Sequence, residues 1–96
     1  MTARRVDTNH AEIVADLRRC GYLVVDIHEV GHGCPDITVA VPGCGWVMLE
    51  IKSPGGRMTP DELDFQQRAE AAGGQYAVIT STEAALDILG RMEGRE

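Results

Sequence analysis

Lys52 is the only lysine in this 96-residue chain, and it closes a short apolar run from Trp46 to Ile51. Glu50 lies two residues before it. Fourteen residues upstream of Glu50, Asp36 follows Pro35 and opens a second apolar run, Ile37 to Val41. Side chains two apart on a strand share a face. A strand over the later run therefore points Met48, Glu50 and Lys52 one way and Val47, Leu49 and Ile51 the other. A half-buried strand has no local use for an acid and an ammonium on one face. Hydrolysis of a phosphodiester does: carboxylates hold a divalent cation, and an ammonium stands beside the attacked phosphate.

Whether Asp36 joins that pair depends on the turn between the two runs. A three-residue loop, Gly43-Cys44-Gly45, pairs Asp36 with Lys52, and moving the loop centre by one residue pairs it with Glu50. Either register puts Asp36 on the face of Glu50 and Lys52, with Cβ atoms roughly 4.5–5.5 Å apart in a direct pair. A two-residue loop pairs Asp36 with Ile51 and turns it to the opposite face.

The elements that must position these residues follow from periodicity and turn chemistry. Asn9 and Glu12 read as a capping box that opens a helix over 10–20. Ala11, Ile13, Val14, Leu17 and Cys20 form its apolar stripe, and Gly21 ends it. Tyr22 to His28 reads as a strand, broken by Gly31-His32-Gly33. Asp36 to Val41 and Trp46 to Lys52 form a hairpin around Pro42–Gly45. Thr59-Pro60-Asp61-Glu62 starts a second helix, with Thr as cap and Pro at the first position. That helix runs to Gly73-Gly74, turns Phe65 and Ala69 to the sheet and leaves Glu62 and Gln66 flanking that face. Tyr76 to Ile79 is a fourth strand. Thr80–Glu83 starts a last helix with Ala85, Leu86, Ile88, Leu89 and Met92 apolar. The first three strands suit an antiparallel meander, and the crossover helix makes the fourth parallel to the third. The expected fold class is α/β: one small domain, αβββαβα, with a mixed four-stranded sheet.

Composition bounds what such a domain does. With 44% hydrophobic residues the chain is ordinary for a globular protein. At this length it has a thin core that dimerisation would help. No apolar stretch reaches the roughly 18–20 residues of a membrane span, and the first residues lack the apolar core of a signal peptide. A cytoplasmic protein is expected. Cys20, Cys34 and Cys44 fit free thiols in a reducing compartment and match no zinc spacing. The formal net charge of −6 argues against a broad basic binding surface. Arg4, Arg5, Arg18 and Arg19 leave room for a local basic patch.

Pro35-Asp36 followed by Glu50-Ile51-Lys52 resembles the PD-(D/E)XK nuclease motif. The wider string is similar to the virus-type replication–repair nuclease (VRR-NUC) branch of that superfamily. The similarity lies in Asn9-His10-Ala11-Glu12, Gly31-His32-Gly33-Cys34-Pro35-Asp36, Met58-Thr59-Pro60, Gly73-Gly74 and Ser81-Thr82-Glu83-Ala84-Ala85-Leu86. It runs from about residue 7 to 90. It implies a restriction-endonuclease-like core and metal-dependent DNA cleavage that leaves a 5′-phosphate and a 3′-hydroxyl. Asp36, Glu50 and the backbone carbonyl of Ile51 would bind Mg²⁺ or Mn²⁺, with Glu12 as a further ligand, and Lys52 would act on the attacking water. The family usually has Gln where this chain has Glu62, so Gln66, one turn later, is a candidate to take its place. His32, Arg4, Arg5 and Arg57 are candidate DNA contacts. The implied role is a structure-selective endonuclease for branched or junction DNA in phage or prophage replication, recombination or repair. It would work as a homodimer in a bacterial or phage-infected cytoplasm, with a helicase or other replication protein as a further candidate partner.

Ordinary structural roles compete for several of these residues. Helix capping accounts for Glu12 and for Glu62. Gln66 and His32 suit a solvated helix flank and a loop, and Trp46 suits the core or a dimer contact. A non-catalytic nucleic-acid-binding or adaptor module on the same fold, and a purely structural domain, are the competing functional readings.

Overall fold

The computed structural model describes residues 9–94. They form three helices and one four-stranded sheet: α1 (His10–Arg19), β1 (Leu23–Asp26), β2 (Ile37–Val41), β3 (Gly45–Ile51), α2 (Pro60–Ala71), β4 (Gln75–Ile79) and α3 (Thr82–Met92). The sheet order is β1-β2-β3-β4, with antiparallel pairing up to β3 and a parallel β3–β4 pair. The element order, the meander and the parallel fourth strand agree with the expected fold. None of the helices among the described residues is long and apolar enough to cross a membrane.

The two faces of the sheet carry different chemistry. Ile37, Val39 and Val41 on β2 share a face with Val47, Leu49 and Ile51 on β3, because the register pairs 37 with 49 and 39 with 47. These six, with Val24 and Ile79, meet Ile13, Val14 and Leu17 of α1 and Ala85 and Leu89 of α3 in one buried core. The opposite face carries Met48 and Glu50, and α2 lies over its β4 side, where Phe65 packs on Tyr76 with ring centroids 6.3 Å apart. Away from α2 this face is open. Leu23, Val25 and Trp46 are 62%, 40% and 51% exposed, so Trp46 is not a core residue.

Local signals explain most element ends. At α2 the capping box is complete: Glu62 N–H donates to Thr59 Oγ1 at 3.2 Å, and Thr59 N–H donates to Glu62 Oε1 at 2.8 Å. Ser81 caps α3 by accepting from Ala84 N–H at 3.1 Å. Gly33 seats the loop before β2 on the start of α2. Its φ is +79°, and a Cβ there would stand 2.3 Å from the Asp61 carbonyl oxygen, so only glycine fits.

The start of α1 departs from expectation. Asn9 makes no side-chain cap. Its amide instead donates to the carbonyls of Thr80, at 2.8 Å, and Lys52, at 3.3 Å, tying α1 to the ends of β3 and β4. The buried stripe is His10, Ile13, Val14 and Leu17, while Ala11 and Cys20 are exposed. The spacing 10, 13, 14, 17 fits one face of a helix.

Candidate active site

The hairpin turn takes the second of the two favourable registers. Its loop is Pro42-Gly43-Cys44, closed by the Val41–Gly45 pair, and Ile37 lies opposite Leu49. One residue beyond that ladder, the same register sets Asp36 across from Glu50. Asp36 bonds in two directions. Its carbonyl accepts from Ile27 N–H at 2.9 Å, and its carboxylate Oδ2 accepts from Ile51 N–H at 2.8 Å.

Glu50 is only 1% exposed. Oε1 of Glu50 has no hydrogen-bond partner among the described residues. Burial, then the negative charges of Asp36 and Glu62, push its pKa up to about 8, against the opposing pull of Lys52. A buried carboxylate with an idle oxygen is costly unless something pairs with it.

Lys52 emerges one residue past β3, where its backbone N–H donates to the Ile79 carbonyl at 2.9 Å. Its Nζ lies 2.8 Å from Glu62 Oε1 and 3.4 Å from Glu50 Oε2. Burial works against the ammonium, but the Glu62 hydrogen bond and the Glu50 charge outweigh it and raise the lysine pKa. Glu62 shows the reverse balance. Burial alone would raise its pKa, yet the bonds from Lys52 and the Thr59 backbone hold it below the usual range. One Glu62 oxygen thus serves the helix cap and the lysine together, so capping and site membership are not alternatives here.

Two residues that sequence reasoning left out adjoin the cluster. Tyr76 is buried on the same sheet face, and its hydroxyl has no partner among the described residues. Burial, followed by the charges of Glu50, Glu62 and Asp36, raises its pKa well above the ordinary tyrosine range. His10 is 5% exposed, and its Nδ1 stands 3.8 Å from Asp36 Oδ1. The available signal for His10 was its place at the head of the apolar stripe. For Tyr76 it was the two-residue alternation along β4.

The remaining expected residues are placed as follows. Glu12 is exposed on α1 and lines a groove with Asn9, Asp16 and Thr80–Glu83, apart from Asp36 and Glu50. Glu12 lies about 200° around the helix from His10, given 3.6 residues per turn, and this turns it away from the buried stripe. Gln66 donates to Glu70 Oε2 at 3.4 Å, so Glu62 is the α2 residue at Lys52. Ile51 is buried, with its N–H on Asp36. His32 is exposed at φ 57° and lines a groove with Asp64, Phe65, Arg68 and Ala69 that contains none of the clustered carboxylates. Arg57 is exposed in the loop before α2. Arg4 and Arg5 lie outside the described residues.

The donor set suits a hard divalent cation. Asp36 and Glu50 offer carboxylate oxygens, and the idle Oε1 of Glu50 is an acceptor that such an ion would satisfy. The same ion would offset the burial and the neighbouring negative charges that raise the Glu50 pKa.

No family model matches the chain. It is 31% identical over 80 residues to a protein named "Putative nuclease p44" of Acyrthosiphon pisum secondary endosymbiont phage 1. That match spans 82% of this chain and 86% of the phage protein.

Proposed function

The chain belongs to the family of this phage nuclease, and on that premise we propose that it is a metal-dependent deoxyribonuclease of the VRR-NUC type. The observation that carries the reading is the buried Glu50 carboxylate, with an unpartnered Oε1, among Asp36, Lys52 and Glu62. A structural ion pair does not need an idle buried oxygen. A cation site does.

Asp36, Glu50 and the backbone carbonyl of Ile51 would hold Mg²⁺ or Mn²⁺. Bound there, the cation supplies Lewis-acid stabilisation of phosphate charge and a more acidic water. Lys52 orients the attacking water and its ammonium stabilises the charge that grows on the phosphate oxygens. Glu62 holds Lys52 in place through the 2.8 Å contact. Water adds to phosphorus and the bond to the 3′ oxygen breaks, leaving a 5′-phosphate and a 3′-hydroxyl. Exposed His32 and Arg57, with Arg4 and Arg5, are the proposed phosphate contacts.

The proposed substrate is branched DNA in phage replication or recombination, within the cytoplasm. One chain carries one site, so paired cuts at a junction call for a two-fold dimer. The net charge of −6 opposes DNA. Bound cations offset part of it, and a helicase or other replication partner would supply further affinity.

Supercoiled plasmid and four-way-junction DNA, incubated with Mg²⁺, Mn²⁺ or chelator, test the proposal. Cutting should require the cation and fall at least about 100-fold in Asp36→Ala and Lys52→Ala, as for loss of an electrostatic catalytic group. Undiminished cutting by these variants would trace the activity to a contaminant and sink the reading. The tight Glu62–Lys52 pair favours a second reading, a DNA-binding adaptor, which predicts binding without cutting.

A further inference from the structure

A second cluster adjoins Asp36 and has no part in the proposed cleavage. Asp26 ends β1, His28 lies two residues on, and His10 opens α1. The Asp26 carboxylate stands between the two imidazoles. Its Oδ2 is 2.9 Å from His10 Nε2, and its Oδ1 is 2.5 Å from His28 Nδ1. The His28 backbone N–H also donates to Oδ1, at 3.1 Å. The rings meet edge to face with centroids 4.9 Å apart. One ligand atom from each of the three residues lies within 4.8 Å of the others.

We propose that His10, Asp26 and His28 form a site for a first-row transition cation of the zinc class, distinct from the carboxylate site at Glu50. Two imidazoles and one carboxylate, with a position left for water, are the donors of an open zinc site. Imidazole donors favour Zn²⁺, Co²⁺ and Ni²⁺ over Mg²⁺. Ligand atoms lie about 2.0–2.2 Å from a tetrahedral ion, so two of them are about 3.3–3.6 Å apart. The three side chains would draw together by up to about an ångström around the ion. Access is from the Asp26 and His28 side, whose side chains are 31% and 25% exposed against 7% for His10. Burial would raise the Asp26 pKa, but the bonds from His28 and His10 hold it at about 2, so the carboxylate is charged at neutral pH.

The other nitrogen of His10 is an independent observation. Nδ1 is buried, has no hydrogen-bond partner among the described residues and lies 3.8 Å from Asp36 Oδ1. With Nε2 on a cation, Nδ1 carries the proton and faces a carboxylate, as the second nitrogen of a metal-bound imidazole commonly does. His10 would then join this site to Asp36. Cation binding itself does not depend on the nuclease reading.

The test is a Co²⁺ titration of full-length protein, freed of metal with chelator and followed by visible absorption. Wild type and Glu50→Gln should both develop a saturable band, bleached by Zn²⁺. His28→Ala and Asp26→Asn, shown to be folded by circular dichroism, should lose it. The partly exposed His28 and Asp26 are used because His10 is buried and its removal threatens the fold. A folded wild type without the band overturns the proposal. So does a band that survives in His28→Ala, or one that is lost in Glu50→Gln. The readout contains no DNA, so failure to cut DNA and failure to bind this cation are separate results.

Discussion

Glu50 is where the chemistry of single residues is most exposed to measurement. Burial and the neighbouring acids lift its pKa from 4.5 to about 8. Between those values the folded chain keeps a proton that the unfolded chain has released. Stability is therefore undiminished below about pH 4.5, falls as pH rises toward 8, and levels off above it. The slope from this group is at most about 1.4 kcal/mol per pH unit. Urea melts in chelator at pH 5, 7 and 9 should show the stability of wild type falling relative to Glu50→Gln as pH rises; parallel curves would contradict the assignment. Glu62 offers a second residue-level prediction. Glu62→Gln loses the charge beside Lys52 but retains an acceptor for Thr59 N–H, whereas Glu62→Ala also loses the reciprocal cap and should be about 0.5–2 kcal/mol less stable than Glu62→Gln. Thermal melts distinguish the two. Both variants remove the Glu62 charge from Lys52, so a difference in stability between them reports the neutral contacts of the side chain, the cap among them, and not the charge.

At the level of elements, the site depends on two short connections. The Pro42–Cys44 turn sets the register that places Asp36 across from Glu50. The Gly33 contact seats the preceding loop on the first turn of α2, which carries Glu62. Gly33→Ala meets both a left-handed φ and the Asp61 carbonyl, and should destabilise by about 1–3 kcal/mol. Hydrogen exchange should show the loss first at the start of α2. The apolar faces of the helices on the other side test packing. Leu17→Ala or Leu89→Ala, each fully buried, should cost about 2–5 kcal/mol in urea melts while the Co²⁺ band of the folded protein persists.

For the whole molecule, α1 and α3 cover one sheet face, while α2 covers only part of the other. The uncovered part presents Leu23, Val25 and Trp46. We propose this surface as the dimer contact that paired cutting calls for. Trp46→Glu, at a residue 51% exposed, should shift sedimentation from dimer to monomer while circular dichroism shows the fold intact. A wild type that is monomeric at every concentration would remove the dimer from the account.

Much of this architecture was readable from local pattern. Two-residue alternation put Glu50 and Lys52 on one face, and Thr59-Pro60-Asp61-Glu62 marked the start of α2, because strand periodicity and capping act over a few residues. The turn sequence left three registers open, two with Asp36 on the face of Glu50 and one with it on the opposite face. Choosing between them took the paired strands, since one residue of slip changes the partner of Asp36. Long-range packing also decided that Asn9 ties strand ends together instead of capping α1, and that Glu62, not Gln66, reaches Lys52. The meeting of His10 with Asp26, His28 and Asp36 likewise needed the fold. These contacts join residues 16 to 71 positions apart, or reflect the orientation of a helix against the sheet. Neither is encoded in local spacing.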